Sequence, residues 1–163
     1  METMDPNNLT QWYDRCAAEL ALYAGHILKC HGSEDIVQDV FIKLMAQNPQ
    51  PDNVRAWLFT AVRNAAITRL RKIKRRRKLR EKLQVAKPWF LPTDNENFDS
   101  SEIQNALENL DDELREIVIL RIWGQLTLKE IAALLDCSTT TVYVRFDKAI
   151  RTMQKTLCID NFI

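Results

Sequence analysis

The sequence predicts an all-α chain in which two small helical domains are joined by a flexible linker. Its 163 residues include only three glycines and five prolines, too few for the closely spaced turns of a β-sandwich or β-barrel. Between these glycines and prolines the apolar residues recur at intervals of three and four, the period of an amphipathic helix. Residues 83–101 interrupt that period with prolines, aromatic residues and a polar, acidic run, which is typical of a linker. We therefore expect domains at 1–82 and 102–163.

Composition narrows the class of protein further. The hydrophobic fraction of 46% is too high for a disordered chain. No apolar run approaches the roughly 20 residues that span a bilayer, and no apolar signal segment follows the first methionine. We expect a soluble, cytoplasmic protein that does not insert into a membrane. The four cysteines form no CxxC pair, so in a reducing compartment we interpret them as small buried apolar residues.

The sequence offers little material for enzymatic chemistry. The only two histidines, His26 and His31, lie in one short segment with Cys30, and no second pair of metal ligands follows. Neither a GxGxxG motif nor a phosphate-binding P-loop occurs. We predict no catalytic residues, no metal and no cofactor.

The net charge of +1 conceals two opposed blocks. Residues 69–82 contain ten cations and one anion, whereas residues 94–116 contain nine anions and one cation. The two blocks nearly cancel, so the average charge says nothing about partners, while the distribution indicates two different ones.

Three helices are predicted in the first domain. The first covers about residues 9–30, and Ser33 caps a second helix that must end before Pro49. The apolar stripe of that second helix consists of Ile36, Val37, Val40, Phe41, Leu44 and Met45. A short, stiff loop at 48–53 leads into a third helix over 54–82. Its apolar stripe contains Val54, Trp57, Leu58, Ala61, Val62, Ala65, Leu70 and Ile73, and fades where the cations begin.

The second domain begins with a helical pattern from residue 102 to about 124. A capping box, Thr127 to Glu130, then starts a short helix that runs through Leu135. Asp136 lies in a turn, and Ser138 caps a longer helix over 139–156. The pair fits a helix-turn-helix, whose second helix enters the DNA major groove; an ordinary helical hairpin is the alternative.

Two further surfaces have both a functional and a plainer interpretation. The basic third helix also carries Trp57, Phe59, Arg63 and Asn64, the cations, aromatic rings and amides that single-stranded DNA requires. Cation runs are also common at solvated helix ends. The acidic and polar face of 33–47 is either a solvated surface or a docking face for a protein.

Taken together, these segments resemble the bacterial sigma-70 family of RNA polymerase sigma factors. The resemblance is to the minimal extracytoplasmic-function (ECF) group, which has two domains, σ2 and σ4, and a short linker. It is carried by SEDIVQDVF at 33–41, AWLFTAVRN at 56–64 and the terminal helix-turn-helix. The resemblance implies a transcription initiation factor whose partners are promoter DNA and the core polymerase, at its β′ clamp and β flap, with an anti-sigma factor as a further candidate partner.

The resemblance also implies roles for individual residues. The set matching the face that docks on the polymerase clamp is Asp35, Gln38 and Asp39. The residues matching the region that opens the −10 element and captures a flipped base are Asn48, Gln50, Asn53 and Asn64. Those matching positions near the separated strands and upstream phosphates are Trp57, Arg63, Arg69, Arg71 and Lys72. The set matching the reader of the −35 element is Arg121, Ser138, Thr139, Thr140, Tyr143, Val144, Arg145, Asp147 and Lys148.

Departures from the family pattern limit what can be carried over. Asp147 is placed on the DNA side, where a carboxylate repels phosphates but could accept a hydrogen bond from a cytosine amino group. We therefore expect an atypical −35 sequence. Trp57 is followed by Leu58 rather than by a second aromatic residue, which implies weaker duplex melting. The alternative function is a stand-alone helix-turn-helix regulator with an N-terminal interaction domain, although such a regulator has no need for the 33–41 and 56–64 motifs.

Overall fold

The computed structural model describes residues 6–29, 32–79 and 100–157. These residues form seven α-helices and one π-helical turn without any strand, which confirms the all-α prediction. The chain divides into two compact units, 1–90 and 91–163. Outside the described residues lie most of the predicted linker, the predicted helix end at 80–82, His31, Cys30 and Cys158, so the predicted domain boundaries stay a prediction. No described helix is long and apolar enough to cross a membrane.

The first unit is a bundle of three helices that all pack on one another. They are α1 (Pro6–Leu28), α2 (Ser33–Met45) and α3 (Val54–Leu79). Their shared core includes Leu20, Tyr23, Val40, Leu44, Leu58 and Phe59, each fully buried. Since every helix contributes an apolar stripe to this core, the polar faces of α2 and α3 are left on the outside.

The predicted N-cap of α2 is wrong by one residue. Ser33 lies within the helix, and the cap is Gly32, which adopts a left-handed conformation with φ of 104° and offers no side-chain cap. A distant helix also contacts this cap, because the Gly32 carbonyl accepts a hydrogen bond from Arg69 of α3.

The structure also shows where three aromatic and apolar side chains of the first unit lie. Of Trp57 and Phe59, the two rings considered for base stacking, Phe59 is the one that packs in the core, fully buried against Tyr23 with ring centroids 5.7 Å apart. Met45, assigned to the apolar stripe of α2, is 47% exposed, and Ile73 of α3 is 37% exposed. The fading of the α3 stripe is confirmed, because every side chain from Arg71 to Arg76 is exposed.

The second unit contains four α-helices. They are α4 (Ser100–Glu108), α5 (Asp112–Val118), α6 (Leu128–Leu135) and α7 (Thr139–Thr156), with the π-helical turn (Ile119–Trp123) continuing α5. Helix α7 packs on α4, α5 and α6, so it is the central element of this unit. The single helical segment predicted from 102 to about 124 is therefore interrupted at 109–111.

That interruption is held by a buried arginine. Arg115 is 7% exposed and donates hydrogen bonds to the carbonyls of Leu107, Glu108 and Leu110 at 2.7–2.9 Å. Two of these carbonyls belong to the last two residues of α4 and the third to the turn that follows, where the helical hydrogen-bond pattern ends. Arg115 also pairs with Asp112 at 3.1 Å. One side chain of α5 thus caps the preceding helix and fixes the corner between them.

The second unit turns again at Gly124. Its N–H donates to the carbonyl of Ile119 at 2.9 Å, which closes the π-helical turn. A Cβ at this position would lie 2.5 Å from the carbonyl oxygen of Leu120, so only glycine fits. This close approach brings the chain around to the start of α6.

Candidate nucleic-acid interface and docking face

The helix-turn-helix is built by two side-chain caps. The Thr127 hydroxyl accepts from the Glu130 N–H at 3.2 Å, and the Glu130 carboxylate accepts from the Thr127 N–H at 2.6 Å, which confirms the predicted capping box. Asp136 takes up the left-handed turn conformation, with φ of 53°. Ser138 then caps α7 by accepting from the Thr141 N–H at 3.0 Å. These contacts fix where α7 begins relative to α6.

Helix α7 has one buried and one exposed face. Val142, Ala149 and Met153 are buried against the other helices of the unit. The opposite face carries the exposed predicted −35 residues: Thr139, Thr140, Tyr143, Val144 and Lys148. Tyr143 and Val144 are 60% and 58% exposed, unusually open for residues of their size. This face combines hydroxyls, apolar surface and a cation, the groups that read base edges and thymine methyls.

Two predicted −35 residues are engaged in ion pairs within the second unit. Arg145 pairs with Glu113 of α5 at 3.3 Å, and Asp147 pairs with Arg151 one turn further along α7 at 2.8 Å. The Asp147 carboxylate is thus partly neutralised by a neighbour on its own helix. Its repulsion of phosphates is reduced accordingly.

Arg121 is placed outside the helix-turn-helix, at the π-helical turn. Its guanidinium donates to the carbonyl of Leu126 at 2.8 Å. The contact stabilises the loop that precedes α6, so the structure gives Arg121 a role in shaping this loop.

The loop between α2 and α3 is shaped by two of the predicted −10 residues. The Gln50 amide donates to the carbonyls of Gln47 and Leu44 at 3.0 and 3.4 Å. Asn53 caps α3 by accepting from the Ala56 N–H at 3.0 Å. Asn48, which precedes a cis proline, is exposed. Gln50 and Asn53 thus define the loop, and Asn48 lies open on its surface.

A polar stripe runs along the outside of α3. Thr60, Asn64, Thr68 and Arg71 are exposed and follow one another at intervals of three and four. The hydroxyls of both threonines donate to carbonyls of their own helix, and the Asn64 side chain between them is exposed. Lys72 is exposed beside this stripe, and Trp57 and Arg63 are half-buried at its margin. Most predicted −10 residues of α3 therefore lie along one side of the helix.

Arg69 departs from that stripe and turns toward α2. Its Nη1 donates to the Gly32 carbonyl at 3.1 Å, and its Nη2 lies 3.6 Å from the Asp35 carboxylate. The contact joins a predicted DNA contact to a predicted polymerase contact, and no pattern in the sequence pairs these two residues.

Helix α2 presents an outer face of mixed chemistry. Asp35, Gln38 and Asp39 are exposed, as a docking face requires. Ile42 and Met45 continue the same face at helical spacing, with 63% and 47% exposure. Neither residue is among the predicted docking residues, and Met45 was predicted to lie in the core stripe instead. The signal that could have found them is the spacing 35, 38, 42 and 45, which extends the polar face past its last carboxylate.

The described residues contain no group of three histidine, cysteine or acidic side chains that could hold a metal ion. The candidate surfaces described above are the outer face of α2, the polar stripe of α3 and the exposed face of α7.

Comparison with known proteins assigns both units. The family model for sigma-70 region 2 matches residues 12–77, and the model for sigma-70 region 4 matches residues 100–153. The RNA polymerase sigma factor SigV of Bacillus subtilis is 28% identical over 123 residues, 74% of this chain and 72% of the relative. The ECF RNA polymerase sigma factor EcfG of Rhodopseudomonas palustris is 26% identical over 131 residues, 78% of this chain and 72% of the relative. The chain is an ECF sigma factor of the sigma-70 family.

Solved structures agree with that assignment. The sigma factor RpoE of Bartonella quintana, solved with the anti-sigma factor NepR, is 25% identical with a TM-score of 0.77. The match covers 95% of this sigma factor and 99% of that chain. CnrH, solved with the cytosolic domain of CnrY, is 23% identical and shares the fold with a TM-score of 0.62, over 97% of this chain and 92% of that one.

The predicted function follows from this membership. The sigma factor is a transcription initiation factor that binds core RNA polymerase and promoter DNA, and its family consists of non-enzymatic transcription factors. The stand-alone regulator is not favoured, because the region 2 match accounts for the residues that such a regulator does not need.

Proposed function

We propose that this sigma factor divides promoter recognition between its two units. Unit two reads the −35 duplex with α7, and unit one docks on the β′ clamp with α2 and holds the melted −10 strand along α3. The observation that carries the proposal is the exposed polar face of α7, opposite its buried Val142, Ala149 and Met153, inside a helix-turn-helix. The major groove admits one α-helix, and the capped start of α7 supplies the end that enters it.

For the −35 element, base reading falls to the exposed N-terminal half of α7. Thr139 and Thr140 offer hydroxyls to base edges or phosphates, and Tyr143 and Val144 offer apolar surface to thymine methyls. Lys148 neutralises a phosphate at the edge of the groove. Arg145 can exchange Glu113 for a phosphate, because an exposed ion pair costs little to break. Ser138 contributes by capping α7, and Asp147 by lowering the positive charge of the reading face. Arg121 contributes by shaping the loop that precedes α6.

For the −10 element, Asn64 is the proposed contact to the flipped base. It lies exposed at the middle of the polar stripe, with the exposed cations Arg71 and Lys72 further along α3 to hold phosphates. Trp57 offers a partly exposed ring and Arg63 a second guanidinium. The loop at 48–53, shaped by Gln50 and Asn53, would hold the base that leaves the stack.

For polymerase docking, the outer face of α2 is proposed to meet the β′ clamp through Asp35, Gln38 and Asp39. The exposed Ile42 beside them provides apolar surface that the contact can bury. We further propose that unit two meets the β flap, that the protein acts in the cytoplasm, and that it has no catalytic activity. The domain boundaries at 82 and 102 belong to this proposal.

An anti-sigma factor is the remaining proposed partner. RpoE of Bartonella quintana is described in complex with the anti-sigma factor NepR, and CnrH in complex with the cytosolic domain of CnrY. A partner of this kind would act by covering the docking face of α2 or the reading face of α7.

The proposed docking is tested by gel filtration of the purified sigma factor with core RNA polymerase. The protein is expected to elute with the polymerase, and the triple variant Asp35→Asn, Gln38→Ala, Asp39→Asn is expected to lose most of that co-elution. A matched control is Asp52→Asn, an exposed carboxylate in the loop between α2 and α3. Co-elution of the triple variant at wild-type levels would remove α2 from the interface.

A further inference from the structure

We propose that Arg69 is a positioning residue for polymerase docking: it fixes the start of α2 and the carboxylate of Asp35. The resemblance to the family placed this cation among the DNA contacts. The structure instead turns its guanidinium to α2, 37 residues away in sequence, where it contacts two groups. This inference rests on the proposed docking role of α2.

The contact uses the fork shape of the guanidinium. Nη1 donates to the Gly32 carbonyl at 3.1 Å while Nη2 lies 3.6 Å from the Asp35 carboxylate. The Arg69 side chain is 38% exposed, so the pair is partly shielded from water, whereas the Asp35 side chain is 71% exposed and open to a partner. A planar fork reaches two acceptors at once, which a lysine ammonium on a single flexible stem does less well.

Gly32 is adapted to the same contact. Its φ of +104° is a conformation that residues with a side chain rarely adopt. A Cβ at this position would lie 2.6 Å from Nη2 and 3.0 Å from Cζ of Arg69. Glycine at residue 32 therefore serves two needs, the left-handed start of α2 and the space that the guanidinium occupies. Two distant residues fit one another, which is unnecessary for a cation that only meets phosphates.

The geometry gives Arg69 a specific effect on docking. Asp35 lies in the first turn of α2 on the exposed face proposed to meet the clamp. A carboxylate that is already oriented loses less side-chain freedom on binding than one that rotates freely. With one oxygen near Arg69, Asp35 still has acceptor sites for a polymerase donor. Arg69 thus prepares the docking residue without covering it.

The experiment compares Arg69→Ala with Arg71→Ala, an exposed cation two residues further along α3. Two affinities are measured for each full-length variant: for core RNA polymerase, and for a single-stranded −10 oligonucleotide over a range of salt. Arg69→Ala is expected to weaken core binding by about fivefold to tenfold and to leave the salt slope of DNA binding unchanged. Arg71→Ala is expected to do the reverse, lowering the salt slope by about 0.7.

Three further variants separate positioning from simple stability or charge. Arg69→Lys keeps the charge but not the fork and is expected to lose part of core binding, and Gly32→Ala is expected to lose as much as Arg69→Ala. In an Asp35→Asn background the effect of Arg69→Ala should shrink to less than about half, because its main target is gone. Hydrogen exchange at the first amides of α2 should rise in Arg69→Ala.

The inference is overturned if Arg69→Ala binds core like the wild type and instead lowers the salt slope of DNA binding. It is also overturned if Arg69→Lys behaves as the wild type in both assays, or if the losses from Arg69→Ala and Asp35→Asn simply add. If the wild type itself does not bind core RNA polymerase, the proposed function is refuted, and this inference with it. If the wild type binds and only the predicted effect of Arg69→Ala is missing, the inference alone is refuted.

Discussion

Arg115 is the single side chain on which the shape of the second unit most depends. It is buried and donates to three carbonyls at and just after the end of α4, so its removal takes a hydrogen-bond donor away from each of them. We expect Arg115→Ala to lower the free energy of unfolding of this unit by about 2–4 kcal/mol. Urea unfolding followed by circular dichroism measures the change.

The matched control for Arg115 is Arg151, whose pair with Asp147 is exposed on the surface of α7. Arg151→Ala should cost no more than about 0.5 kcal/mol. Equal effects of the two substitutions would show that the buried cap contributes no more than a surface ion pair.

Cys16 provides a pH-dependent prediction at the same scale. Burial raises the pKa of its thiol, and the nearby Arg55 guanidinium, whose Nη1 is 3.3 Å from Sγ, opposes the shift in part. Below the ordinary thiol pKa the group is neutral in both folded and unfolded chains. As the pH rises above that value, the unfolded chain ionises first, so stability falls toward the raised pKa of the folded state.

Alkylation mapped by mass spectrometry tests the state of Cys16. At pH 8, iodoacetamide should modify it more slowly than the half-buried Cys137, by about tenfold or more. Equal rates at the two cysteines would contradict a buried, protonated thiol.

At the scale of elements, helix α3 is expected to act on melted DNA rather than on polymerase. Asn64→Ala removes an exposed amide from the polar stripe without touching the core. Open-complex formation, followed by permanganate reactivity of promoter thymines, should fall by about tenfold, while core binding stays within about twofold. Asn105→Ala, at an exposed asparagine of α4, is the control. Equal losses of melting and core binding would refute the assigned role of Asn64.

Helix α7 is expected to contact phosphates through Lys148. Substitution by alanine should weaken binding to −35 duplex DNA and lower the slope of log affinity against log salt by about 0.9. Lys155→Ala, in the last turn of the same helix, should leave the slope unchanged. An unchanged slope for Lys148→Ala would exclude it from the phosphate contacts.

The two helix caps of the helix-turn-helix were predictable from sequence, whereas the cap of α2 and the contacts between distant elements were not. The capping box at Thr127 and the cap at Ser138 depend on residues three positions apart, so both were found correctly. The break between α4 and α5 was missed because Leu110 continues the apolar period across it. Asp111, Asp112 and Glu113 are a helix-start signal that could have revealed it.

The same difference between local patterns and long-range contacts holds for the candidate site. Exposure of Asn64, Tyr143 and Lys148 followed from helical spacing relative to the buried stripe. The engagement of Arg69 with Gly32, and of Arg145 with Glu113, joins residues more than 30 positions apart. No periodicity in the sequence encodes such pairs, because they arise only when the helices pack.

At the scale of the whole molecule, the near-neutral net charge results from a basic block at 69–82 and an acidic block at 94–116, which have different roles. The cations from Arg71 to Arg76 are exposed along α3, in keeping with a DNA-holding helix. Within the acidic block, Asp112 and Glu113 bind Arg115 and Arg145 and so stabilise the second unit itself. Part of the acidic block is therefore structural, which its charge alone did not indicate.

The most direct test of the account is run-off transcription with bacterial core RNA polymerase and DNA from upstream of the gene encoding this chain. Core polymerase alone should give no discrete transcript, and addition of the sigma factor should give a transcript from a defined start. The variant Asn64→Ala should reduce that transcript while still binding core. Absence of any promoter-dependent transcript, together with absence of core binding, would contradict the assignment as a transcription initiation factor.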